Sequence, residues 1–206
     1  CALSNKNAFI FVGGYHPSIM PHEVLKENDI DAVVRGEGDL TIVELIKSLE
    51  NKKSLNKVKG ISYKKDGKIY HNESRPLIND LGVLPLPARH LLKMDRYVNY
   101  IFNERCTTII TSRGCPYRCV YCAQIYKSWR PRSPKDVVDE IESVQKEYEI
   151  NNFYFYDDLV TLNKQRVIDI CKEIINRKIK IKWICTARVD TVNPEMLKWM
   201  KASGCE

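Results

Sequence analysis

The chain has 206 residues, 44% of them hydrophobic and 29% charged, with a formal net charge of +7. That is enough apolar material for a buried core in one large domain or two small ones, and no apolar run approaches the length of a membrane span. The basic balance does not argue for nucleic acid, because the lysines of the densest stretch, from Lys52 to Lys68, surround a predicted hairpin without interleaved stacking aromatics.

Residues 1–7 lack the basic, apolar and small-residue succession of a signal peptide. The eight cysteines, three of them clustered, then read as metal-binding thiols in a reducing compartment, so a cytoplasmic protein is expected rather than a disulfide-linked secreted one. No methionine starts the chain, and its end follows directly on a helical pattern. Both ends are therefore expected to belong to a longer protein.

In chain order, residues 8–12 form a short apolar run ended by Gly13-Gly14, the pattern of a buried parallel strand and a tight turn. A helix with Pro21 in its first turn and Val24 and Leu25 on its apolar side is predicted next, then a strand over 30–34. Gly36-Glu37-Gly38 turns the chain again. Asp39 is the predicted cap of a helix whose apolar face is Ile42, Val43, Leu45, Ile46 and Leu49. This alternation predicts an open α/β sheet, in which ligands lie beyond the carboxyl ends of the strands, where both glycine turns fall. By themselves these glycines either make turns or let the backbone approach a flat or phosphate-bearing ligand. Asp66-Gly67, flanked by residues 59–63 and 68–71, signals a hairpin that is expected to decorate a domain junction. Residues 81–87, punctuated by Pro85 and Pro87, read as a stiff connector that fixes one domain on the next.

The pattern restarts with a β-branched strand over 107–111. Thr111-Ser112-Arg113-Gly114 then leads into Cys115-Pro116-Tyr117-Arg118-Cys119-Val120-Tyr121-Cys122, three cysteines at C-x3-C-x2-C spacing. Ser133, Pro134 and Asp136 mark the start of a helix with Val137, Val138, Ile141 and Val144 on its buried side. A strand over 153–156, a helix over 167–175, a strand over 180–185 and a helix over 195–200 complete three βα units, which predict a parallel barrel or part of one. In such barrels chemistry belongs to the loops after the strands, and the cysteine loop, Asp157-Asp158 and Arg188 all lie there. Cys171, Cys185 and Cys205 are spaced with the predicted elements rather than with one another, as core residues would be.

An iron-sulfur cube normally takes four cysteines, so a loop that supplies three leaves one iron open as a reaction site. A closed zinc site would need a fourth ligand. Cys106 is the nearest, but it is expected before the strand, hence at the opposite end of the barrel. An electron-transfer cluster would need a distant fourth cysteine.

C-x3-C-x2-C with Tyr121 before its last cysteine resembles the cluster loop of the radical S-adenosylmethionine (SAM) superfamily. Trp129-Arg130-Pro131-Arg132-Ser133-Pro134, Phe155-Tyr156-Asp157-Asp158 and Ala187-Arg188-Val189-Asp190 resemble the branch that carries a cobalamin-binding domain in front; Gly13-Gly14-Tyr15-His16-Pro17 and Gly36-Glu37-Gly38 resemble the end of that domain. The resemblance implies an α/β fold in three parts. Residues 1–80 would be the end of a Rossmann-like cobalamin-binding domain with the hairpin, 81–105 the connector, and 106–206 the first βα units of a radical SAM partial TIM barrel.

It further implies that Cys115, Cys119 and Cys122 hold three irons of a [4Fe-4S] cluster while the amino and carboxylate groups of SAM take the fourth, and that reductive cleavage of SAM gives a 5′-deoxyadenosyl radical. Gly13, Gly14, Gly36, Glu37 and Gly38 would border the cobalamin. His16 is read as a loop or pocket-wall residue, since the upstream Asp-x-His-x-x-Gly signature of a cobalt-ligating histidine is absent. Tyr121 falls where the family places an aromatic against adenine, or packs the loop. Asp157 and Asp158 fall where relatives have a Gly-Gly-Glu segment on the SAM amino group, or cap the helix near Asn163. Arg188 pairs with the SAM carboxylate or with Asp190. An electron donor such as flavodoxin or ferredoxin is implied. The substrate, a small molecule or a peptide, is not written in these residues; methyl transfer leads by family frequency, with ring closure and other rearrangements open.

Overall fold

The computed structural model describes residues 8–123 and 125–206; the stretch 1–7, read above as lacking a signal, lies outside them. The chain divides between Asn79 and Asp80 into two compact units, each of mixed α/β type.

The first unit contains strands β1 (Phe11–Gly13), β2 (Ala32–Val34), β3 (Ile61–Lys65) and β4 (Lys68–His71), in the order β1-β2-β3-β4, with helices α1 (Tyr15–Ile19), α2 (Pro21–Val24) and α3 (Gly38–Glu50). β1 and β2 run parallel with Phe11 opposite Ala32. β3 runs antiparallel to β2, with Val34 opposite Ile61, so the hairpin extends the sheet of this unit. Its turn has the expected chemistry: Asp66 and Gly67 take φ of 50° and 72°, the positive pair a two-residue hairpin turn requires.

Four expectations are corrected here. The single helix after β1 is two short ones, because the Pro21 ring disfavours the helical conformation in the residue before it and Met20 sits at φ −119°. His16 is accordingly an exposed residue of α1, not of a loop. The residue capping α3 is Glu37, without a side-chain capping bond, while Asp39 lies in the first turn, where the helix dipole favours an acid. Of the predicted apolar face of α3, Leu45 is buried and Ile42 and Leu49 pack against the core cluster to which it belongs, whereas Val43 and Ile46 are exposed.

The second unit contains β5 (Val98–Asn99), β6 (Glu104–Ile109), β7 (Ser112–Arg113), β8 (Arg130–Pro131), β9 (Asn152–Phe155) and β10 (Lys182–Cys185), with α4 (Pro134–Tyr148), α5 (Lys164–Asn176) and α6 (Pro194–Ala202). One sheet has the order β10-β9-β6-β5; its first three strands are parallel and β5 runs antiparallel to β6. The residues read as a connector thus lie within this unit and supply an edge strand.

Register puts Thr107, Phe153 and Trp183 in one row and Ile109, Phe155 and Cys185 in the next. Period-2 alternation turns both rows to the same face. There Phe155 stacks on Trp183 at 4.6 Å, and Val137, Ile141, Val167, Ile174, Met196 and Met200 of the helices close the core over them.

Each of these helices begins with a side-chain cap, the expected Ser133 and two asparagines: Ser133 Oγ accepts the Asp136 N–H at 3.1 Å, and Asn163 and Asn193 Oδ1 accept the Arg166 and Met196 N–H groups at 3.0 Å. Ser133→Ala is expected to cost about 1 kcal/mol of stability in this unit. Tryptophan fluorescence in a denaturant titration reads it, since Trp129, Trp183 and Trp199 all lie in this unit. An unchanged midpoint would remove the cap from the account.

α4 also buries an acid. Glu140, 1% exposed, accepts from Arg89 Nη2 at 2.6 Å and from Arg132 Nη1, and Arg89 Nη2 additionally donates to the Thr108 carbonyl in β6 at 2.8 Å. Cys106 lies inside β6 rather than before it, opposite Asn152, the first residue of β9. It is buried, and burial pushes its thiol pKa up to about 11.

Candidate functional site at the strand ends of the second unit

β6, β9 and β10 are parallel, so the segments that follow them emerge at one edge. After β6, residues 114–123 and 125–129 belong to a long excursion that carries the three cysteines. Its base is closed by a short antiparallel ladder of β7 on β8, with Ser112 opposite Pro131 and Arg113 opposite Arg130.

The turn into the excursion requires glycine. Gly114 sits at φ 86°, and a Cβ there would meet the Ser128 carbonyl oxygen at 2.2 Å. Its N–H donates to Asp158 Oδ2 at 2.9 Å, and the Cys115 N–H donates to the Tyr126 carbonyl at 2.9 Å.

Asp157, 6% exposed, accepts three hydrogen bonds: from Thr111 N–H and Oγ1 at 2.6 Å each and from Ser112 Oγ at 2.5 Å. Burial raises its pKa against the pull of these donors and of nearby Arg166. Neither acid caps the next helix, because Asn163 does. Both instead hold the strand that enters the cysteine excursion.

Arg166 holds both ends of it. Nη2 donates to the Thr111 carbonyl at 2.6 Å on the entering side, and Nε donates to the Arg132 carbonyl at 3.0 Å on the leaving side. Burial lowers its pKa to about 10.

After β10, Arg188 makes a two-point contact with Asp190, Nε to Oδ1 at 3.0 Å and Nη2 to Oδ2 at 2.6 Å. The bonds to Asp190 raise the pKa of the guanidinium, and Arg188 lowers that of the carboxyl. The third side of the guanidinium faces the cysteine loop: Nη1 lies 3.2 Å from Cys119 Sγ, and Cζ lies 3.9 Å from the centre of the Tyr117 ring. Thr186, also past β10, donates to the Asp157 carbonyl at 3.5 Å. The three strand-end segments read from the sequence are therefore brought together.

Cys115, Cys119 and Cys122 are free thiols; the first two are half-buried and Cys122 is exposed. Tyr121 is 88% exposed, so it does not pack the loop. Among the described residues no three His, Cys, Asp or Glu side chains lie close enough to hold a single metal ion. A cube offers each thiolate a different iron, so its ligands ring a cluster instead of meeting at one ion. Free, accessible thiols on a loop beside a guanidinium fit that demand.

Cys171 is a core residue, its thiol pushed up to about 11 by burial. Cys185 and Cys205, half-buried, pack against the same core as expected, and they interact with each other, which raises the pKa of Cys185 and lowers that of Cys205.

In the first unit, the glycine turns follow the parallel pair β1 and β2. Gly14 takes φ 107°, and nothing lies within 4 Å of where a Cβ would stand. Ser18 links the two turns, donating to the Gly14 carbonyl at 2.6 Å and accepting the Gly36 N–H at 2.9 Å. Glu37 Oε2 accepts the Ile78 N–H at 2.8 Å.

Sequence reasoning missed Ser18, Arg166 and the β7/β8 ladder. Ser18 is the one with a local signal, a serine in the first turn after a glycine pair.

Parallel βα units with a three-cysteine excursion at their strand ends point to a class, and residues 109–206 match the Radical SAM superfamily. The whole chain is similar to an uncharacterised methyltransferase of Pyrococcus horikoshii, 40% identical over 98% of this chain and 44% of the relative. It is similar also to the anaerobic magnesium-protoporphyrin IX monomethyl ester cyclase of Synechocystis, 35% identical over 97% of this chain and 41% of the relative. Among solved structures it resembles the cobalamin-dependent S-adenosylmethionine radical enzyme OxsB with aqua-cobalamin and S-adenosylmethionine bound, at a TM-score of 0.76 and 27% identity, covering 96% of this chain and 30% of that one. The chain spans less than half the length of these relatives. Among the described residues no helix is long and apolar enough to cross a membrane.

Proposed function

We propose that the chain is the cofactor-holding part of a cobalamin-dependent radical SAM enzyme that transfers a methyl group. The observation that carries this reading is the meeting of three strand-end segments at one edge, with Arg188 at Cys119 and Asp158 at the turn into the cysteine excursion. Cys115, Cys119 and Cys122 would hold a [4Fe-4S] cluster. When bound, such a cluster with one iron open supplies the single electron that cleaves SAM.

The chain's own residues bind and orient. The β7/β8 ladder, Asp157 and Arg166 fix the base of the excursion, so the cysteines are presented from a rigid frame. Tyr121 projects into the open and offers its ring to adenine. Asp158, exposed where Asp157 is buried, is the acid positioned for the SAM amino group. Reducing power would come from a flavodoxin or ferredoxin and the substrate would be a small molecule or a peptide, in a cytoplasmic setting that keeps the thiols reduced. Methyl transfer is drawn from the methyltransferase relative; ring closure, the chemistry named for the cyclase, is the competing outcome.

The first unit, read as the end of a Rossmann-like domain, would take the cobalamin at its strand ends. Gly13, Gly14, Gly36, Glu37 and Gly38 form the border there, and the open space above Gly14 is what a large flat ligand needs. Equilibrium dialysis of the full-length protein tests this. Gly14→Val and Gly38→Val are expected to weaken cobalamin binding at least tenfold, with thermal unfolding measured beside it to account for backbone strain at Gly14. Undiminished binding in both variants would mean that the turns only shape the chain.

A further inference from the structure

We propose that Arg188 sets the reduction potential of the cluster held by Cys119, and that Asp190 opposes it. This rests on the reading that Cys119 is a cluster ligand.

A guanidinium presents five N–H donors in a planar fork. In Arg188 the Nε and Nη2 edge is taken by Asp190 at 3.0 and 2.6 Å, and the Nη1 corner is aimed at Cys119 Sγ at 3.2 Å. The Tyr117 ring, 3.9 Å away under the guanidinium, keeps the plane in place, and Tyr117 belongs to the cysteine loop itself. The edge that would grip a carboxylate of SAM is thus occupied, while the remaining corner meets a cysteine sulfur.

Reduction adds one negative charge to a cluster, shared with its thiolates. A positively charged donor on one thiolate stabilises the reduced form more than the oxidised one and so raises the potential. The Asp190 carboxylate, two residues away and paired with the same guanidinium, partly cancels that charge. The two residues therefore act with opposite sign.

The test is a redox titration of full-length protein, reconstituted anaerobically and followed by electron paramagnetic resonance without SAM. Arg188→Gln is expected to move the midpoint to more negative potential, lowering the ratio of reduced to oxidised cluster at a fixed poise about tenfold, which is about 59 mV for a one-electron couple. Arg188→Lys should fall between the two. Asp190→Asn should shift it the other way. Iron and sulfide content should be unchanged in all three.

An intact cluster with unmoved potentials in Arg188→Gln and Asp190→Asn would overturn this inference alone, as would shifts in the same direction. Unmoved potential with weakened SAM binding in Arg188→Gln would overturn it in favour of a carboxylate partner. A wild-type protein that takes up no cluster would overturn both the inference and the reading beneath it.

Discussion

Alanine in place of Cys115, Cys119 or Cys122, one at a time, is expected to leave a protein without a competent iron-sulfur cluster, whereas Cys171→Ala retains the iron of the wild type. The physical distinction is thiolate availability. The three loop cysteines are free and reach solvent on a clamped excursion, while Cys171 is fully buried with its thiol pushed up to about 11. Iron and acid-labile sulfide, counted after anaerobic reconstitution of the full-length variants, read the difference. Equal iron in all four variants would defeat the ligand assignment.

Glu140→Ala is expected to destabilise the second unit by about 3–5 kcal/mol, because it removes the shared partner of two arginines and leaves their charges without a counter-ion at a buried site. The loss is propagated toward the site. Arg132, freed from Glu140, also holds the Ile110 carbonyl at 3.0 Å, in the segment that leads to the cysteines. Denaturant titration by tryptophan fluorescence should show a lower midpoint with little change in slope. A midpoint within experimental scatter of the wild type would mean that the network is neutral. Glu140→Gln, which keeps the shape and some hydrogen bonding, should fall between the two.

What was legible in the sequence was chemistry carried by neighbouring residues. Ser133-Pro134 with Asp136 names a helix start because a hydroxyl acceptor, a missing N–H and an acid in the first turn all act within one turn. Asp66-Gly67 names a hairpin because few residue pairs accept two positive φ angles. The cysteine spacing belongs to the same kind, since ligands of one cluster on one loop must be close in sequence.

What was not legible depends on partners far along the chain. A hairpin signal says nothing of which strand it lies beside, so the pairing of β3 with β2 could not be read from it. Two-residue strands separated by a cysteine excursion, one of them containing Pro131, carry no periodicity at all. Glu140 lies among the apolar positions of α4, and its burial is explained by two arginines outside the helix, Arg132 and, 51 residues earlier, Arg89. Asp157 and Asp158 stand just past the end of β9, where alternation no longer decides which side chain turns inward, and the two acids proved to differ in burial and partners. Pro21 was legible as a first-turn residue and opens α2, whereas α1, five residues long, is too short to show a period.

The open iron is the centre of the account, and the electron paramagnetic resonance spectrum of the reduced full-length protein, recorded with and without SAM, tests it most directly. The account expects about four irons per chain from a [4Fe-4S] cluster and a spectrum that changes when SAM is added, because SAM takes the iron that no cysteine holds. A cluster whose spectrum is indifferent to saturating SAM, or a colourless protein without iron, would contradict it.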